Sequence, residues 1–439
     1  MSRNLLVRLL AVSVLLCAFF SLRAQDGTHS AYSPYSIYGI GNLDKGGSAF
    51  NMTKGGVGIA TRTNRFVNYM NPASITARDS LSFMSDFGLK SDNAIYRQGD
   101  IKSGHNTFNI NDFVISFPIY RSSAMMLGIA PYSSVGYNYN YPITDPGLIG
   151  NTGTLGYTAS GSGSIYQMFI GGAVTFWKRL SLGAEYIYYF GKIEKNVDLL
   201  FSDDSFRSIS GGYNLQLKSS SAKFGLQYEQ PLGKNNSMVI GATYKLRSNL
   251  NGFINDHEYA SISSVSDTLK NTTDTLSLSH KAKLASEIGV GIAFRNRDRW
   301  SVEVNYLYSD WRNCGFDSVA GLSNDSSAGF SAGRSHSFRA GFEITPNRND
   351  IRYKYKTFTY RAGAYYDREY YLLGGTAVDA FGLTFGMTIP VSSGYNGFTF
   401  GVDIGQRGNV GNNRIRERYI GFNIGFNIFD IWFRKHRYE

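Results

Sequence analysis

The sequence predicts an all-β fold: an antiparallel transmembrane β-barrel of about fourteen strands behind an N-terminal hatch or plug segment. Three observations carry that prediction. In Tyr419-Ile420-Gly421-Phe422-Asn423-Ile424-Gly425-Phe426-Asn427-Ile428, large apolar residues alternate with Gly and Asn, which puts Ile420, Phe422, Ile424, Phe426 and Ile428 on one face of a strand and small or polar residues on the other. The same period-two pattern recurs along most of the chain, as a strand between lipid and a polar lumen requires. Finally, short turns alternate with longer polar loops, the asymmetry of a barrel with periplasmic turns and extracellular loops.

The chain opens with a leader. Arg3 and Arg8 make a positive start, Leu9 to Phe20 an apolar run, and Leu22-Arg23-Ala24 a cleavage site before Gln25, so residues 1–24 read as a signal peptide and the rest as exported. Leu16 stands before Cys17 where a lipoprotein leader wants a small residue, and that alternative is set aside. The remaining divisions are 25–80 as hatch or plug, 81–433 as the barrel and 434–439 as a basic periplasmic tail.

Composition narrows the class. The 439 residues include 49 Gly and 31 Tyr but only 9 Pro, and no stretch after the leader is long and apolar enough to cross a bilayer as a helix. Any membrane role falls to strands. With Cys17 removed, Cys314 has no intramolecular disulfide partner. The chain carries a formal net charge of +11, three units of which (Arg3, Arg8, Arg23) leave with the signal. The basic remainder suits anionic outer-membrane lipid and lipopolysaccharide phosphates. Nucleic acid is excluded as a partner, because no Lys/Arg cluster is interleaved with aromatics beyond Arg434-Lys435-His436-Arg437.

Strands are expected near 81–90, 105–119, 124–139, 154–177, 180–201, 207–230, 237–262, 277–296, 299–313, 333–345, 356–371, 378–390, 397–408 and 414–430. Turns fall at Arg121-Ser122-Ser123, Lys178-Arg179, Gly233-Lys234-Asn235-Asn236 and Arg297-Asp298. Longer polar loops are expected at 91–104, 140–153, 263–276 and 314–332. That parity puts both termini in the periplasm.

Facing follows from the cost of charge in lipid. Phe381, Leu383, Phe385 and Met387 alternate with Gly382, Thr384 and Gly386, and the parity that carries charges must face the lumen. By that rule Asp86, Glu185, Lys223, Glu229, Lys245, Arg247, Glu287, Glu303, Arg339, Glu343, Arg361 and Asp403 point inward. Both signs are present, so cross-strand pairing that fills the interior is the expected role.

Residues 25–80 do not alternate. Gly55-Gly56-Val57-Gly58 has neither the Lys-Ser/Thr nor the βαβ setting of a phosphate loop, and the Tyr, Phe and Met content of the segment suits a plug better than a disordered tail. No metal or cofactor is expected, since the six His residues have no ligand spacing and no catalytic set can be placed on one rim. The chain does not read as an enzyme.

The leader, the tripeptide Asn71-Pro72-Ala73 after a Gly-rich stretch, a first strand at Leu81 and about fourteen strands resemble the FadL-like long-chain fatty acid transporter family of outer-membrane proteins. Ser33-Pro34-Tyr35-Ser36-Ile37-Tyr38-Gly39 and the terminal Phe429-Asp430-Ile431-Trp432-Phe433-Arg434-Lys435-His436-Arg437-Tyr438 look like its Bacteroidetes branch. The resemblance implies a hatch built around Gly55, Gly56, Gly58, Asn71, Pro72 and Ala73. It also implies a kink in the third strand that opens a lateral window for hydrophobic cargo, which in this sequence falls at Pro131 and Gly136. The expected function is passage of hydrophobic or amphipathic small molecules across the outer membrane. The alternative is a non-transporting barrel subunit of an outer-membrane secretion or assembly complex. A continuous apolar track to Pro131 would favour the first, a lumen sealed by ion pairs the second.

Overall fold

The computed structural model describes residues 31–431 apart from 80, 121, 144, 146, 148–154, 204, 263–264, 275–280, 298, 324–328, 392–394 and 411–413. The expected leader and basic tail lie outside these residues, as do His29, His280 and His436. Fourteen antiparallel strands form the wall. They are β1 Ser82–Gln98, β2 Ile101–Tyr120, β3 Ser123–Ile143, β4 Leu155–Phe176, β5 Leu180–Phe201, β6 Ser208–Leu232, β7 in two segments, Asn236–Lys245 and Asn251–Ile262, and β8 in two, Val265–Asp274 and Glu287–Asn296. The circuit continues through β9 Trp300–Asp310, β10 (Phe330–Ala332 with Arg334–Ile344), β11 Thr359–Leu373, β12 Thr376–Val391, β13 Asn396–Arg407 and β14 Arg416–Ile431. Pairing of β14 with β1, from Ser82↔Ile431 to Arg97↔Arg416, closes the barrel. Closure is what lets a sheet span lipid, because every wall strand then has a neighbour for its N–H and C=O groups.

Alternation decides which side chains meet lipid. Phe381, Leu383 and Phe385 on β12 are 53, 53 and 51% exposed, while Thr384 between them is 2% exposed. On β14, Ile420 and Phe422 face out and Asn423 and Asn427 are buried. No described helix is long and apolar enough to cross a membrane.

Several strands run past their expected ends. The region 91–104, expected as a loop, continues as β1 and β2 around the two-residue turn Gly99-Asp100, and 263–276 supplies the exposed strand Val265–Asp274. Val265–Asp274 is exposed on both faces, so its ladder continues without the apolar alternation by which a sequence reveals a strand, and the extension of β1 buries only Ala94 and Tyr96. Conversely, β7 and β8, expected to be continuous over 237–262 and 277–296, break in mid-course. Ser248–Asn249 and Lys283–Leu284 turn away to form a separate two-stranded ladder. The connection after β9 joins them: Trp311, Cys314, Phe316, Val319 and Leu322 are all 2% exposed or less and pack with Leu250, Leu284, Tyr370 and Tyr371 into one apolar cluster. The mouth remote from the termini is therefore filled by a core of aromatic and branched residues.

One seam of the wall is incomplete. β2 and β3 pair only from Tyr120↔Ser123 to Phe113↔Ile129; beyond that, no pairing between them occurs among the described residues. β3 continues on its other side with β4 through a register shift between Pro131 and Ser133. Its released edge takes a different partner, the N-terminal pair Asn42–Leu43, in register Asn42↔Ser134 and Leu43↔Ser133.

Candidate functional site

The chain before β1 lies inside the barrel and is built from short pieces. These are 3-10 turns at Pro34–Ile37 and Pro72–Ala77, the two-residue strand Asn42–Leu43 and a single helical turn at Ala49–Met52. Prolines at the first position suit both 3-10 turns, since proline presets φ and its missing N–H would be an orphan there. Asn71 caps the second by accepting from the Ala73 amide at 3.0 Å. Pieces this short cannot stabilise themselves, so the wall must hold them.

It does so with side chains from around the circuit. Glu303 of β9, fully buried, accepts from the Ala60 amide at 2.9 Å and from the Thr61 hydroxyl, with Lys54 Nζ 3.8 Å away. Gln227 of β6 donates to the carbonyls of Ile59 (2.9 Å) and Thr61 (3.2 Å). Asp86 of β1 accepts from the Val67 amide, and Asn427 of β14 donates to the Arg65 carbonyl at 2.9 Å. Arg339 pairs with Asp367 at 3.0 Å and reaches the Gly56 carbonyl at 3.4 Å. Nearer the far mouth, Lys45 pairs with Glu369 at 2.9 Å, the Ser33 hydroxyl donates to Glu417 at 2.8 Å, and Lys195 donates to the carbonyls of Ile37 and Gly39. Hydrogen bonds to charged groups contribute about 1.5–3 kcal/mol each, and a buried group robbed of its partner costs about as much, so this network is strongly self-specifying.

Glycine on the lumen parity of the strands gives the segment room. A Cβ at Gly225 would collide with Asn71 and Pro72, and one at Gly183 would come within 2.5 Å of the Ala73 amide. Gly55 and Gly56 adopt φ of +72° and +69°, and a Cβ on Gly56 would strike Arg339. Gly58 has Met70, Asn51 and Asn68 against the position of its missing Cβ.

The other inward charges sit as follows. Lys223 donates to the Tyr69 carbonyl at 3.2 Å, Glu229 pairs with Arg62 and Arg295, and Lys245 pairs with Glu287 at 3.6 Å. Glu343 pairs with Arg361 at 2.6 Å, and Asp403 accepts from the Tyr365 hydroxyl at 2.9 Å. Glu185 is buried against an internal cavity, whereas Arg247, expected to point inward, stands exposed at the mid-course break of β7 and donates to the Asn313 carbonyl. Several cavities remain between plug and wall. One of about 170 Å³ is lined by Asp92, Glu369, Asp403, Arg407 and Glu417 among others, and one of about 100 Å³ lies behind Pro131. Among the described residues no cluster of His, Cys, Asp and Glu could hold a metal ion.

At the seam the N-terminal segment spans both sides. The Ser33 amide donates to the Gly136 carbonyl at 2.8 Å and the Gly136 amide to Ser36 Oγ at 3.0 Å. Tyr32 donates its hydroxyl to the Asn138 carbonyl of β3 at 3.0 Å, while its ring stacks on His105 of β2 with centroids 4.1 Å apart. Sequence reasoning did not single out Tyr32, Asn42, Gln227, Glu369, Arg407, Glu417 or the Trp311–Leu322 loop. The parity rule could have found Gln227, Glu369, Arg407 and Glu417, which share the inward parity of Glu229, Arg361, Asp403 and Asn423; it says nothing of Tyr32, Asn42 or the Trp311–Leu322 loop, which lie outside the alternating strands.

A family model described as BamG matches residues 6–439. The chain belongs to the BamG family. No curated protein matches this BamG-family sequence. Among solved structures, its barrel is similar to the Ralstonia pickettii toluene transporter TbuX, at TM-score 0.58 and 16% identity over 87% of this chain and 98% of that one. It is also similar to the Pseudomonas putida toluene transporter TodX, at TM-score 0.57 and 14% identity over 91% and 100%. A Pseudomonas aeruginosa FadL homologue follows at TM-score 0.52 and 11% identity over 92% and 100%. The BamG-family chain is thus an outer-membrane β-barrel with the FadL-like fold.

Proposed function

We propose that this barrel passes hydrophobic or amphipathic small molecules from the cell exterior into the outer membrane, with residues 25–80 as a hatch and the β2–β3 seam as a lateral opening. The observation that carries the reading is the end of the β2–β3 ladder at Phe113↔Ile129, with the released edge of β3 paired to Asn42–Leu43 rather than to a wall strand. A wall strand can be removed only by unfolding the barrel; a plug residue can be removed by moving the plug. Pro131 lacks the amide that a continuous ladder would use, which suits a strand that parts from its neighbour. The toluene transporters that share the fold support the cargo class.

The filled far mouth and the ion-paired lumen support a second reading, a barrel that conducts nothing and serves as a subunit of an outer-membrane secretion or assembly complex. Membership in the BamG family leaves it open. One experiment separates the two. Uptake of a labelled hydrophobic probe into proteoliposomes should occur with the intact chain and fall with Pro131→Val, while a chain lacking residues 25–80 should insert and leak ions across a planar bilayer. Absence of uptake together with a silent truncated barrel selects the subunit.

A further inference from the structure

The cavity of about 100 Å³ behind the seam is not apolar. Leu43 of the plug with Pro131 and Tyr132 of β3 line it at the seam, where β2 has parted, while Glu185, Lys223, Lys245 and Glu287 come from β5, β6, β7 and β8 in turn. With Asp44 and Lys45 from the plug, it gathers three carboxylates and three ammonium groups. Lys245 is paired with Glu287 and lies 5.1 Å from the Tyr132 ring centre. Lys223 commits one donor to the Tyr69 carbonyl, and an ammonium has three.

Two buried polar atoms on this lining have no hydrogen-bond partner among the described residues: Oε2 of Glu185, a residue 4% exposed, and the hydroxyl of Tyr132, 5% exposed. A buried carboxylate oxygen without a donor is costly. A hydrocarbon entering from the seam could not relieve it, because it has nothing to donate. An ammonium group could, and an acid group beside it could take the second and third donors of Lys223 and the Tyr132 hydroxyl.

We propose that this cavity is a head-group site for a zwitterionic amphipath, one carrying an ammonium and an acid group, whose alkyl chain lies toward the Leu43–Pro131 wall and the seam. The proposal rests on the transport reading and narrows its cargo from hydrocarbons to amphipaths. The cavity is the size of an amino-acid head group rather than of a whole lipid, so the chain must extend out of it.

The test uses the full mature chain in non-ionic detergent, with binding read by native mass spectrometry. Two zwitterions, dodecylphosphoethanolamine and 2-aminododecanoate, are compared with dodecanoate, dodecylamine and dodecanol. At least one zwitterion should bind tenfold or more tighter than the three controls, and the tighter of the two identifies the acid group as phosphate or carboxylate. Glu185→Gln should reduce zwitterion affinity to that of dodecanoate, and Lys223→Met to that of dodecylamine. If Glu185→Gln does not yield a heat-modifiable barrel, Tyr132→Phe must weaken the zwitterion instead. Equal binding of dodecanol, or zwitterion binding that these changes leave intact, overturns the head-group site while leaving hydrophobic transport standing. Retention of none of the five probes overturns the transport reading as well.

Discussion

Leu43 of the plug and Ser133 of β3 are antiparallel neighbours, so one edge of the barrel wall is completed by a residue that precedes the barrel in the chain. Opposite positions in such a ladder bring Cα atoms to about 4.5–5.5 Å, within reach of a disulfide. In a Cys314→Ala background, Asn42→Cys with Ser134→Cys should therefore cross-link on mild oxidation, detected as a joined peptide by mass spectrometry. Under the transport reading, oxidation should also stop probe uptake and reduction should restore it.

Glu303 holds the plug by accepting from Ala60 and Thr61 beside Lys54. Glu303→Gln keeps the shape but removes the charge and one acceptor, and should weaken the attachment by about 1.5–3 kcal/mol. Amides of residues 54–61 should exchange faster with deuterium while the strand amides stay protected. Uniform exchange across plug and barrel would show that the two unfold together.

Facing is tested at Phe385, 51% exposed on β12. Phe385→Arg should destabilise the barrel by roughly 2–4 kcal/mol if the residue lies near the bilayer midplane. Phe385→Leu should cost far less, because lipid fills the difference and no cavity forms. Urea titrations in lipid vesicles give both values, and a matching cost for the two changes would remove Phe385 from the lipid face.

Topology is tested with inserted tags. Asn271 lies on the exposed strand Val265–Asp274 at the rim remote from the termini, and Asn235 in the turn between β6 and β7 at the terminal rim. Antibody should reach a tag at Asn271 on intact cells and a tag at Asn235 only after the outer membrane is opened.

Cys314 reports on the filled mouth. Burial pushes its thiol up, so less thiolate is present than in a free cysteine, and the side chain is fully buried against the Asp310 carbonyl. A maleimide should leave it unmodified on intact cells at neutral pH. Trp311→Ala removes the largest side chain of that core, at a cost of about 3–5 kcal/mol, and should make Cys314 reactive. Equal labelling of both proteins would mean that the mouth opens on its own.

Barrel, strand number and lipid face were all legible in the sequence, because each strand lies between two solvents and its alternation records both. Ile420, Phe422 and the Phe381–Met387 series needed no partner to be read correctly. The sequence also led to the expectation that residues 25–80 are not wall and that charges such as Glu303 and Arg339 avoid lipid. Their partners were not legible. Glu303 meets the Ala60 amide across more than two hundred positions, and a hydrogen bond to a backbone atom leaves no complementary residue type for a sequence to display.

The same reasoning explains the regions that were misjudged. The strand Val265–Asp274 is exposed throughout, so nothing forced alternation upon it, and in 91–98 only Ala94 and Tyr96 are buried, too short a run to stand out. The breaks in β7 and β8 and the inward turn of Trp311–Leu322 exchange wall pairing for a shared apolar core, a choice that becomes visible only when Leu250, Leu284 and Tyr370 are brought together.

By itself, then, the sequence determined a lipid-facing barrel with a charged interior and a non-alternating N-terminal segment, since those are consequences of solvent contact residue by residue. Tertiary structure alone decided that β2 and β3 part after Phe113, that Asn42–Leu43 takes the vacated edge and that charges converge behind Pro131. Those depend on which strand edges and side chains meet once the wall closes, a property of the closed circuit that no local pattern carries.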